Sequence, residues 1–179
     1  MKRIMKEILS TSVYLLIVLL ITYLLVQYVG QRTEVVGSSM ESTLQDGDNL
    51  IVDKLSYRFK EPERFDIVVF PYRHEKDTFY IKRIIGMPGE TLQIDTDGTI
   101  YIDGNILEEY YGNAVIEDPG VAIQPITLGE DEYFVMGDNR NNSTDSRSES
   151  VGNIYRRELL GKAFIRIWPI HKLELLRHQ

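Results

Sequence analysis

From Ile8 to Val29 the chain runs for 22 residues without a charge, dominated by Leu, Ile, Val and Tyr. A helix of that length rises about 1.5 Å per residue and so spans roughly 33 Å, enough for the ~30 Å hydrocarbon core of a bilayer. Ser10, Thr11, Ser12 and Thr22 can bond back to the preceding turn, and Tyr28 suits the headgroup interface. A cleaved signal peptide usually has a shorter apolar region followed by a small-x-small site. Here the exit reads Val26-Gln27-Tyr28-Val29-Gly30-Gln31-Arg32, which has no such site. The expectation is an uncleaved anchor over 8–29, with a short tail over 1–7 and a folded domain over 31–179. Lys2, Arg3 and Lys6 should hold the N-terminus in the cytoplasm and leave the domain on the outer face of the cell membrane.

Charge divides the chain in the same way. The net charge of −7 splits into +2 over residues 1–30 and −9 over residues 31–179. An acidic domain argues against a nucleic-acid partner, because phosphate neutralisation needs clustered Lys and Arg. The chain has no cysteine, which excludes a disulfide framework, a Cys-ligated zinc site, an iron–sulfur cluster and a thiol nucleophile. With only three histidines, His74, His171 and His178, no polyhistidine metal site is expected, and no cofactor.

Strand signals dominate after residue 30. Asp66–Phe70 is an apolar run ending at Pro71, and Thr78–Ile85 is another, ended by Gly86. Leu92–Asp95 and Thr99–Ile102 alternate around Asp97-Gly98, a strong hairpin signal, and Asp103-Gly104 marks a second turn. Residues 108–126 read as a surface excursion. Glu132–Met136 and Gly161–Trp168 are further strands, and only Ile154–Leu160 looks helical. The fold class is therefore mostly β: a single N-terminal transmembrane helix, then a folded-over sheet or partial barrel.

Three segments carry polar chemistry inside this frame. Val36-Gly37-Ser38-Ser39-Met40-Glu41-Ser42-Thr43-Leu44 begins a few residues beyond the anchor; by composition it is a turn, and turn hydroxyls are more often local caps than nucleophiles. Lys82 stands inside the apolar strand before Gly86-Met87-Pro88-Gly89. A lysine there usually snorkels, but a desolvated one becomes a base with a lowered pKa. Gly137–Arg147 is Asn/Asp-rich and fits a solvated loop; no register of it places calcium ligands at alternate positions with the required Gly and closing Glu.

Together these segments resemble the bacterial type I signal peptidases. The serine box of that family, S/G-x-S-M-x-P-T-L, is similar to Gly37–Leu44. The lysine box K-R-x-x-G-x-P-G-D/E is complete from Lys82 to Glu90, and G-D-N-x-x-x-S-x-D-S-R is complete from Gly137 to Arg147. Asp66–Phe70, Gly161-Lys162-Ala163 and Trp168-Pro169 match further family segments in order. One anchor, short spacing and Gly37 in place of a serine look most like the compact Gram-positive-type branch. Two positions depart from the pattern: Ser42 stands where Pro is usual, and Phe65 where Gly usually precedes the Asp.

The resemblance implies a serine endopeptidase that removes signal peptides from exported preproteins, cutting after small-x-small motifs. Ser39 would be the nucleophile and its N–H an oxyanion donor, Lys82 the general base, and Ser143 the group that orients the Lys82 amine. Arg83, Asp145 and Arg147 would form a salt-bridged scaffold, and Val35, Met40, Leu44 and Ile81 would line shallow substrate pockets. Gly37 cannot supply the hydroxyl that serine gives in some relatives, so a water or a neighbouring N–H would fill that place. Partners implied are signal-peptide-bearing preproteins, the lipid bilayer and the protein-export translocon. Two readings compete with this one. A self-cleaving repressor-type peptidase uses the same dyad but carries a DNA-binding N-terminal domain. A non-catalytic membrane-anchored β module that binds exported proteins would keep the fold without the chemistry.

Overall fold

The computed structural model describes residues 2–28 and 30–176. Helix α1 covers Lys2–Tyr28, and its stretch Arg3–Leu24 has mean hydropathy 2.0 with none of it buried against the rest of the chain. It is the one described helix long and apolar enough to cross a membrane. The helix starts before the uncharged stretch, because charged side chains such as Arg3 and Glu7 pair one turn apart without breaking it. Val29, the proposed end of the anchor, and His178 lie outside the described residues, and nothing is described of the Tyr28 side chain.

Twelve strands follow among the described residues: β1 Gly30–Glu34, β2 Asn49–Asp53, β3 Ile67–Pro71, β4 Phe79–Gly86, β5 Thr91–Ile94, β6 Ile100–Ile102, β7 Asn105–Ile106, β8 Ile126–Thr127, β9 Glu132–Met136, β10 Ile154–Tyr155, β11 Gly161–Trp168 and β12 Glu174–Leu175. They form two sheets. The larger runs β1-β2-β11-β3-β4-β9-β10, with β12 also paired to β11, and the smaller runs β7-β6-β5-β8. The domain is mostly β, as expected. The supposed helix over 154–160 is instead the short strand β10 followed by one 3-10 turn at Arg156–Glu158. That stretch is too short to repay helix nucleation, and Ile154 finds a strand partner in Tyr133. The excursion over 108–126 is also partly structured, ending in a 3-10 turn at Gly120–Ile123 and leading into β8.

Three apolar clusters set the frame around the site. Ile85 of β4 and Phe134 and Met136 of β9 pack with Leu92, Ile94, Ile100 and Ile102, which joins the two sheets. On another side, Ile84 packs with Val68, Phe70, Tyr133 and Val135. The third cluster, Val35, Met40, Leu44, Leu50, Ile67, Ala163 and Leu176, lies under the serine-containing turn and fixes it to the larger sheet.

Candidate active site

The turn over residues 37–44 is anchored at both ends. Gly37 adopts φ +90° and donates its N–H to Asp46 Oδ1 at 2.7 Å, while Leu44 N donates to Met40 O at 2.8 Å. The φ value explains the glycine, since a Cβ is strained in that region. Met40 and Leu44 insert into the third cluster and are 1% and 0% exposed, so Ser39 is held on a turn whose neighbours cannot move freely.

Lys82 comes from β4, opposite Val68 of β3 in the antiparallel register. Its Nζ donates to Ser39 Oγ at 2.7 Å and to Ile81 O at 3.0 Å. The residue is 3% exposed. Burial lowers its pKa from 10.5 to about 8, against the opposing pull of the Asp145 and Asp138 carboxylates. An ammonium this poorly solvated gives up its proton near pH 8, and the amine then presents a lone pair to the Ser39 hydroxyl.

The third segment clamps the serine turn from outside. Asn139 N donates to Ser39 O at 3.1 Å, Asn139 Nδ2 to Ser38 O at 3.1 Å, and Asn142 Nδ2 to Ser38 Oγ at 2.8 Å. Below it, the scaffold is paired differently from the expected arrangement. Asp145 and Arg147 do form an ion pair at 2.9 Å. Arg83 instead bonds both oxygens of Asp138, at 2.9 and 2.7 Å, and both partners are buried. Asp145 is already occupied: its oxygens accept from Arg147 and from Gly137 N.

Ser143 also departs from its expected place. Its Oγ is buried and has no hydrogen-bond partner among the described residues, and the second Lys82 bond goes to Ile81 O instead. Ser143 is nevertheless close to the nucleophile. A Cβ added to Gly137 would come within 2.3 Å of Ser143 Oγ and 2.4 Å of Ser39 O, so Gly137 is the residue that lets the two segments meet.

A groove of about 620 Å³ runs past the pair, lined on one side by 33–40 and on the other by 77–82, with Asn142 and Thr144. Of the expected pocket residues, Val35, Met40 and Ile81 line it. Leu44 does not; it is wholly buried behind Met40, because the turn directs it into the core. Ser42 is exposed and outside the lining, so the nearby hydroxyl does not compete with Ser39. Neither His74 nor His171 lines the groove.

At position 65, where the resemblance leads to an expectation of glycine, the backbone itself favours that residue. Phe65 adopts φ +72°, a left-handed conformation that costs most residues roughly 1–2 kcal/mol. Its ring packs on Tyr111 at 5.0 Å, and its carbonyl accepts from Arg83 Nη1 at 2.8 Å. Arg83 in turn lies over the Tyr111 ring at 3.7 Å.

Asp138, Asn139, Arg140 and Asn142 lie in the Asn/Asp-rich loop Gly137–Arg147, and the sequence assigns none of them a separate role. Their density of amide and carboxylate groups was the available signal. Their partners are far away in sequence: Arg140 Nη1 bonds Glu109 at 2.6 Å, and Asp138 takes Arg83.

The family described as "Signal peptidase, peptidase S26" matches residues 7–168. A probable signal peptidase I-2 of Synechocystis sp. is 41% identical over 155 residues, covering 83% of this chain and 68% of that protein. A signal peptidase I of Leptolyngbya laminosa is 39% identical over 153 residues, covering 82% and 72%. A crystal structure of a signal peptidase I from Enterococcus faecalis V583 aligns with TM-score 0.46 and 34% identity, covering 57% of this chain and 97% of that one. The non-catalytic reading is not favoured, since the family that matches and the relatives it resembles are signal peptidases. With the match spanning nearly the whole chain, the protein belongs to the signal peptidase family, peptidase S26.

Proposed function

We propose that the chain is a membrane-bound serine endopeptidase that removes signal peptides from preproteins, with Ser39 as nucleophile and Lys82 as general base. The observation that carries this reading is the 2.7 Å contact between Lys82 Nζ and Ser39 Oγ beside an open groove. The neutral Lys82 amine takes the Ser39 hydroxyl proton as Oγ attacks the scissile carbonyl carbon. The resulting ammonium hands that proton to the leaving amine. Water then attacks the acyl ester; Lys82 takes its proton and returns it to Ser39 Oγ as the ester breaks. Ser39 N–H donates to the oxyanion, with a water or neighbouring N–H as the second donor.

The groove suits an extended peptide. Residues 79–82 of β4 pair with β3 on one side, whereas pairing with β9 starts only at Arg83. That leaves a strand edge unpaired among the described residues, across the groove from residues 33–36, to which a substrate can add as a strand. Val35, Met40 and Ile81 line this groove and, in this reading, form the pockets that select small side chains before the cut. The apolar α1 holds the site at the bilayer surface, where signal peptides emerge. In this reading the N-terminus is cytoplasmic, the domain lies on the outer face, and the translocon delivers the substrate. Arg83, Asp145 and Arg147, with Asp138, keep the two catalytic segments in register.

The test is cleavage of a precursor whose signal ends in Ala-x-Ala by the detergent-solubilised chain. Ser39→Ala and Lys82→Ala are each expected to abolish trimming, and His74→Ala to leave it intact. Turnover by folded Lys82→Ala protein would overturn the dyad.

A further inference from the structure

The excursion over 108–126 runs beside the Gly137–Arg147 loop and is bonded to it at several points. Asn113 N donates to Asp138 O, Glu117 N to Asn141 Oδ1 and Val121 N to Arg147 O, each at 3.0 Å. Asn113 differs from its neighbours in spending its side chain there as well. That side chain is exposed, yet both ends of its amide engage the loop. Its Oδ1 accepts from Arg140 N at 3.3 Å, and its Nδ2 donates to Asn139 Oδ1 at 3.0 Å.

These bonds have a direction. A backbone N–H can only donate, so Arg140 N holds the oxygen end of Asn113. The nitrogen end then faces Asn139, which presents its own oxygen and turns its Nδ2 to Ser38 O, 3.1 Å away. Ser38 O also accepts from Glu41 N at 3.1 Å. Ser38 O and Ser39 N–H belong to one trans peptide unit, in which the C=O and N–H point in opposite directions. A donor on Ser38 O therefore aims Ser39 N–H away from Asn139 and polarises it. Among the described residues Ser39 N–H donates to no acceptor, so it is available to a developing negative charge.

We propose that Asn113 is a positioning residue for the oxyanion donor: it fixes the orientation of the Asn139 amide, which in turn aims Ser39 N–H. Asn113 touches no reacting atom and acts through Asn139 and the Ser38–Ser39 peptide. The inference rests on the reading of Ser39 as nucleophile and oxyanion donor given above.

The test compares Asn113→Ala with Asn113→Asp in the full chain in detergent, with precursor cleavage as the readout. Asn113 is exposed, so neither change threatens folding. Alanine removes the donor to Asn139 and leaves that amide loosely held, which should lower kcat about fivefold, the worth of one hydrogen bond. Aspartate keeps the acceptor for Arg140 N but sets an oxygen against Asn139 Oδ1. The Asn139 amide then rotates to donate to Asp, turns its oxygen on Ser38 O and takes the donor away. The expected loss is about 25-fold in kcat, two such bonds, with KM unchanged because the oxyanion exists only in the transition state. If Asn113 merely braced the loop, aspartate would be the milder change, since it keeps the bond to Arg140 N. An aspartate variant as active as the alanine variant, or more so, would overturn the proposal.

Two further readouts bear on it. In an Asn139→Ala background both changes at position 113 should have no further effect, and full losses there would overturn the proposal. The pH profile of kcat/KM should keep its midpoint in Asn113→Asp and lose height. A loss that vanishes at high pH would mean that the added charge acts on Lys82, and would also overturn it. If Asn139→Ala fails to fold, the order of the two Asn113 variants decides. Ser39→Ala is run beside them: if it cleaves, the nucleophile reading and this proposal fall together; if it is inactive, an adverse result counts against the role of Asn113 only.

Discussion

Replacing Lys82 by methionine should make the protein more stable while destroying its activity. Burial holds the Lys82 pKa at about 8 in the folded chain against 10.5 for an ordinary lysine. At about 1.36 kcal/mol per unit, that gap is a folding penalty of about 3 kcal/mol. Below pH 8 the lysine is protonated in both states and the penalty is fully present. Between pH 8 and 10.5 the unfolded chain holds the proton and the folded chain does not, so stability rises with pH as the penalty fades. Methionine has similar length and no charge to desolvate. It does remove the donor that Ser39 Oγ and Ile81 O share, at a cost of about 1 kcal/mol. The expected net gain is about 2 kcal/mol at pH 6.5, with the two proteins converging by pH 10. Denaturant unfolding of the full chain in detergent, followed by the fluorescence of its single tryptophan, Trp168, measures this. A Lys82→Met protein less stable than wild type at pH 6.5, or a gap that does not close with pH, would show that the lysine is not a desolvated base.

Other perturbations probe the supports of the site. Asp138→Asn leaves the buried Arg83 guanidinium without its counter-charge and should cost about 3–5 kcal/mol, read as a large fall in melting temperature. Gly137→Ala places a Cβ 2.4 Å from Ser39 O and 2.3 Å from Ser143 Oγ. The displaced nucleophile should lower kcat about 100-fold, and unchanged turnover would mean that the two segments need not meet there. At Phe65, with φ +72°, the usual order of small residues should invert: Phe65→Gly is expected to be more stable than Phe65→Ala by about 1 kcal/mol, since alanine keeps the strain and both lose the ring. Thermal denaturation of the two variants distinguishes this from ordinary packing loss.

The elements legible in the sequence were those whose burial is written as an apolar run with a stop. β9, Glu132–Met136, and β11, Gly161–Trp168, occur where the runs place them. β1, Gly-Gln-Arg-Thr-Glu, carries no such signal, because it is a partly exposed edge strand stabilised by pairing with β2. Ser39 and Lys82 were legible only through their boxes, since neither residue type alone separates a turn hydroxyl from a nucleophile. Their contact joins residues 43 positions apart, a distance no local pattern encodes. The same limit hid the partner of Arg83. Asp138 and Asp145 occupy one loop with equal chemistry, and only the fold decides that Asp145 is taken by Arg147 and Gly137 N. Leu44 was misplaced for a related reason: an apolar residue beside a nucleophile can face substrate or core, and the 40–44 turn sends it to the core.

The central claim is that a buried lysine acts as the base, and the pH dependence of kcat/KM for precursor cleavage tests it most directly, because that quantity reports the ionisations of the free enzyme. The expected profile rises about tenfold per pH unit and levels off near pH 8, where Lys82 loses its proton. A rise centred near the ordinary histidine pKa of about 6.5, or a profile flat from pH 6 to 9, would contradict the Ser39–Lys82 dyad.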